Sequence, residues 1–174
     1  MSTSTRLAVT ALALLSTAAL YAQQTQTPPK PAPADPHAHM NMRGAEVMGF
    51  DQDKTTHHFY LYDDGGAIDV SVKDAADTTN RTAIRSHLPH IAMMFGMGDF
   101  SAPMMVHATN PPGTATLKAN TTKVKYTYVD TPNGGRVDIV TTDATTLAAV
   151  HEFMRFQITD HKTGGAMTVR KRQD

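Results

Sequence analysis

Three kinds of apolar pattern run along this chain. The first is continuous: Leu7-Ala8-Val9-Thr10-Ala11-Leu12-Ala13-Leu14-Leu15 follows Arg6 and gives way to small residues ending at Ala22, which is the grammar of a secretory signal. This run is shorter than the about 20 apolar residues of a durable membrane span, and no later segment is longer. Residues 1–22 are therefore expected to be a signal peptide with no stable membrane anchor behind it, and the product periplasmic or secreted.

The second pattern is alternation. His57-His58-Phe59-Tyr60-Leu61-Tyr62 and Ala67-Ile68-Asp69-Val70-Ser71-Val72 flank Asp63-Asp64-Gly65-Gly66, which predicts a β-hairpin. A clearer hairpin is predicted where Lys123–Val129 and Arg136–Val140 flank Asn133-Gly134-Gly135. Met104-Met105-Val106-His107, ahead of the Asn110-Pro111-Pro112-Gly113 turn, reads as a short strand.

The third pattern has a helical period. Ile84, Leu88, Ile91 and Phe95 recur at four, three and four residues after a polar Asp77–Asn80 boundary, and Gly96 and Gly98 can stop the helix. Pro89 lies inside it and predicts a kink or a later start. Thr142 or Asp143 can cap a last helix in which Leu147, Val150, His151, Met154 and Ile158 share a face, with Gly164 placed to end it.

Residues 23–42 read as a Pro-rich and then His- and Met-rich flexible segment, 43–166 as one domain, and 167–174 as a polar tail. The order hairpin, helix, strands, hairpin, helix predicts an α+β fold: a small antiparallel sheet with two helices packed on one face. No internal repeat is visible in the sequence.

Composition narrows the chemistry. With 16 basic against 16 acidic residues in 174, the chain lacks the cationic excess that nucleic-acid binding needs. The absence of Cys removes disulfides, thiolate zinc sites, iron–sulfur clusters and covalently attached haem. What remains for metal chemistry is 9 His and 11 Met, the borderline and soft donors that favour copper among the common ions.

On the first predicted helix His87, His90 and Met94 are spaced to emerge on one side, and on the last helix His151, Met154 and His161 repeat that geometry. One of His57 and His58 faces the helices, and His107 approaches from the neighbouring strand. A site built from His90, His107, His151 and one of the adjacent pair would gather four nitrogens. His37, His39, Met40 and Met42 offer a second, flexible metal-recruiting arm. The alternative for each His is a core ring hydrogen-bonded to backbone, and for Met93, Met94, Met97, Met104 and Met105 it is simple packing.

Enzyme signatures are missing: there is no G-x-S-x-G elbow, phosphate loop or H-E-x-x-H helix, and no two carboxylates are tied by spacing to one pocket. Gly49–Phe59 and Val150–Gly164 resemble a group of small exported bacterial proteins with no established activity, some of which carry the name aspartate carbamoyltransferase. That name implies a Ser-Thr-Arg-Thr-Arg loop, and the nearest string here, Thr79-Asn80-Arg81-Thr82-Ala83, lacks the serine and the second arginine. The sequence does not support the name.

The expectation is an exported copper-binding or copper-handling protein with no required turnover. Its alternatives are a non-catalytic accessory or interaction domain with structural His and Met, and a periplasmic enzyme or b-type haem protein.

Overall fold

The computed structural model describes residues 35–172, so the expected signal peptide and the Pro-rich spacer up to residue 34 lie outside the described residues. In chain order the elements are α1 (Pro36–Met48), β1 (Thr55–Tyr62), β2 (Gly65–Val72), α2 (Thr78–Gly96), α3 (Ser101–His107), α4 (Thr114–Ala119), β3 (Val124–Thr131), β4 (Gly134–Thr141) and α5 (Ala144–Asp160). The four strands form one antiparallel sheet in the order β1-β2-β4-β3. The class is α+β, as expected, and α2 and α5 both pack on one face of the sheet.

That face is apolar because alternate residues of each strand point to it. Phe59 and Leu61 of β1, Ile68, Val70 and Val72 of β2, and Val137 and Ile139 of β4 are all buried there. They meet Ile84, Leu88, Ile91 and Phe95 of α2 and Val150, Phe153, Met154 and Ile158 of α5. The arrangement is a ββα unit used twice, although the sequence shows no repeat. Each helix serves mainly the other unit's hairpin: α2 lies chiefly on β3 and β4, while α5 lies chiefly on β1 and β2.

Both hairpins turn on two residues, Asp63-Asp64 and Pro132-Asn133, and both follow the turn with two glycines inside the strand. Gly65 has φ +150°, and a Cβ there would stand 2.0 Å from the Ile139 carbonyl oxygen; one on Gly134 would stand 1.9 Å from that of Val70. The second glycine of each pair faces the helices, Gly66 towards Met154 and Gly135 towards Leu88.

Three expectations differ from the structure, and of the two alternatives offered for Pro89 the later start is excluded. The segment read as a strand at 104–107 is helix α3, because an unbroken apolar run has no period to separate the two forms. Ala102, Pro103 and Val106 turn inward at helical spacing and leave Met104 and Met105 outside. The segment read as flexible to residue 42 is helical from Pro36: Asp35 caps it by accepting from His37 N–H, and Pro36 occupies the first turn, where no donor is lost. Buried Met40 and a 2.8 Å bond from Arg43 Nε to the Val106 carbonyl fasten α1 to the domain.

Pro89 does not delay α2, which starts at Thr78 behind an Asp77 cap. The tail is more than a polar end. Residue 170 bridges to Tyr62 at the free edge of β1, and Arg172 crosses the outer face to Asp64 and to Asp138, at 2.9 and 2.7 Å, with its guanidinium over the Tyr62 ring. Among the described residues no helix is long and apolar enough to cross a membrane.

Gly65→Ala and Gly134→Ala are each expected to cost about 3 kcal/mol or more, since a backbone carbonyl must move to admit the methyl group. Gly96→Ala, with no heavy atom within 4 Å of the new Cβ, is expected to gain about 0.5 kcal/mol from reduced unfolded-chain entropy. Urea unfolding of the three variants checks both signs.

Candidate functional site: an interior imidazole cluster

Where α5 ends, the sheet and helices do not close completely. A cavity of about 70 Å³ remains between β1, β2, α2, α3 and α5, walled by Phe59, Ile68, Leu88, Phe95 and Phe153 and by Met48 at the end of α1. Four imidazoles line it: His57, His87, His107 and His161.

Each ring arrives by a different local rule. His57 is an inward position of β1, so the strand alternation that buries Phe59 also carries this ring inward. His161 caps the C-terminus of α5, three residues beyond buried Ile158. His107 ends α3, and His87 flanks the buried stripe of α2. The His57 and His161 rings stack at 5.3 Å between centroids with planes 14° apart, and His107 meets His161 edge-on at 4.9 Å. Phe50 and Phe59 also stack with His57, at 5.9 and 6.2 Å between centroids.

His107 is held at both nitrogens. Nδ1 lies 2.5 Å from Asp160 Oδ2, and Nε2 lies 2.9 Å from Gln157 Oε1. Two acceptors suit only a doubly protonated ring. Turning the Gln157 amide over suits the neutral ring instead, because the amide then donates to Nε2 while Asp160 accepts from Nδ1–H. In the arrangement seen, Gln157 Nε2 and His57 Nε2 are buried without a hydrogen-bond partner, and both residues line the cavity. Orphaned polar atoms beside a void mark a place where a guest would be favoured.

The cavity also sets protonation. Burial, followed by the proximity of His58 and His87, pushes His57 down to about 4. Burial and then His90 push His87 down to about 4. Burial, with His57, His107 and His37 adding to it, pushes His161 down to about 2. At neutral pH these three rings are uncharged nitrogen donors.

Of the expected ligands, the structure brings His57, His87, His107 and His161 to one cavity and leaves the others elsewhere. His90 is exposed, because it sits roughly 140° around α2 from the direction of Ile84 and Leu88 at about 100° per residue. His151 gives its Nε2 to the Tyr62 carbonyl at 2.8 Å, a structural bond at the first hairpin. His58 lies on the outer face beside Tyr60, and Met94 packs against the core without lining the cavity. The four-nitrogen set of His90, His107, His151 and one of the adjacent pair is therefore not assembled.

On α1 the expected arm is divided. His37 Nε2 reaches the His161 carbonyl at 3.4 Å, Met40 is buried, and His39 and Met42 are exposed. Sequence reasoning missed Met48, Gln157 and Asp160. The i, i+3, i+4 spacing of Gln157, Asp160 and His161 was the available sign that they share a helix end.

Among the described residues no set of three or more His, Asp or Glu side chains is gathered closely enough to hold a metal ion together. The rings stack and do not converge on one point. Comparison with protein-family models, curated proteins and solved structures gives no match, so the functional reading rests on this geometry.

The depressed basicities fix an acid response. In the unfolded chain the three rings protonate near pH 6.5, whereas in the fold His57 and His87 stay neutral to about 4 and His161 to about 2. Their contribution to stability is complete above pH 6.5 and is lost as the pH falls from 6.5 to about 4 for His57 and His87 and on to about 2 for His161, because the unfolded chain there binds more protons. Urea midpoints between pH 7 and pH 4 should fall with a slope of about two to three protons, and His161→Phe should flatten it by about one. A pH-independent midpoint would show that the rings are not buried neutral.

Proposed function

We propose that the protein is an exported copper-binding protein that takes Cu(I) at the interior cluster, with His57 and His161 as the principal donors. The observation that carries this reading is the juxtaposition of two stacked neutral imidazoles, one with an unpartnered nitrogen, and the side chain of Met48 around a single apolar cavity. Soft and borderline donors without a negative charge suit Cu(I) better than Zn(II) or Mg(II). Cu(I) is also satisfied by two nitrogens in line, so it does not need the convergent set of three that the described residues lack. Binding would require each ring to turn out of the stack towards the void that both line.

A second reading has its own support. The rings interleave with Phe50, Phe59 and Phe156 as an aromatic layer, which is what an accessory or interaction domain with purely structural histidines would show. The cavity is far too small for a haem macrocycle, so a b-type haem protein finds no support there.

Titration with Cu(I) against a competing chelator under reducing conditions tests the two together. The expected result is one equivalent bound, weakened about 100-fold or more by His57→Phe and by His161→Phe, since loss of even an outer-shell partner typically costs 10- to 100-fold. His151→Ala should leave the affinity unchanged. No competitive binding, together with a more stable His57→Phe variant, would establish the structural reading in its place.

A further inference from the structure

The inner pair of rings has a second exposure. A surface groove of about 310 Å³ runs along β1, the edge strand of the sheet, and is lined by His37, Gln52, Asp53 and His58 together with His57 and His161. Those last two also line the interior cavity, so they form the wall common to both spaces. Because β1 is an edge strand, residues of opposite faces reach the groove: His57 from inside the sheet and His58 from outside. His37 is brought over His161 by α1, with Nε2 3.4 Å from the His161 carbonyl oxygen.

We infer, on the basis of the copper reading above, that this groove is the loading port of the cluster. His37 and His58 are the first imidazoles an incoming ion meets, and the His57–His161 pair receives it at the wall shared with the cavity. An interior site needs an entry path, and His57, whose buried Nε2 has no hydrogen-bond partner, stands between this groove and the cavity. The rim does not act as an electrostatic funnel, because Lys73 and Lys162 stand beside the single carboxylate of Asp53. Capture therefore falls to imidazole nitrogens at short range, and its rate should respond little to salt.

The test is the rate of Cu(I) transfer from a chelator complex to the full chain, followed by stopped flow, beside the equilibrium affinity. In the variant carrying both His37→Phe and His58→Phe, uptake and release are expected to slow together by about tenfold, with affinity unchanged, because a port lowers the barrier without holding the ion. His39→Phe, on the same helix but outside the groove, should change neither rate. Unaltered rates in the double variant would overturn the port while leaving the copper site standing. Affinity falling in step with uptake would also overturn it, by making His37 and His58 ligands. A wild-type chain that binds no Cu(I) would remove the copper reading itself, and the port with it.

Discussion

The close approach of β2 to β4 is the constraint on which the rest of this fold depends. These two central strands join the two hairpins, and they come together only because Gly65 and Gly134 present no side chain to the carbonyls of Ile139 and Val70. The glycine after each one clears the opposite face for a helix, Gly66 for α5 and Gly135 for α2. Fixing that register fixes the seat of α5 along β1 and β2, and the end of α5 then delivers His161 to His57. The chemistry of the cluster is thus a downstream result of four glycines that take no part in it.

Burying several imidazoles is costly when each could be solvated and protonated in the unfolded chain. Here the cost is limited by keeping the rings neutral and by giving them aromatic neighbours. His107 alone is paired at both nitrogens, and its carboxylate partner Asp160 stays partly in water at the rim. Structural histidines placed only for packing would be expected to end satisfied, as His151 does on the Tyr62 carbonyl. His57 does not: its Nε2 is buried without a hydrogen-bond partner.

The hairpins and both long helices were legible because their signals are local. Two-residue turns followed by glycine pairs, a four-three-four apolar spacing and capping aspartates each act within one or two turns of chain. Helix α3 was not legible, since Met104–His107 is apolar without period and its burial is decided by α1, which approaches from far away in sequence. The start of α1 carried a readable Asp35-Pro36 cap, but the prolines before it favoured the reading of an extended linker. For the site, residue type was informative and position was not: imidazoles could be counted, but which of them share a cavity depends on the β2–β4 register. His90 and His151 belong to periodic helix faces that the sequence displays, yet the angle between each face and the sheet is a tertiary quantity.

The exchange of helices between the two hairpins has a consequence for how the chain acquires its structure. The inner surface of β1 and β2, made early in synthesis, finds its main cover only in α5, which is made last; α2, made between them, waits for β3 and β4. Neither half can bury its own apolar face. The first half would therefore remain an open, adhesive sheet until about residue 160 has emerged, and the domain should assemble in one late step dominated by contacts between distant parts of the chain.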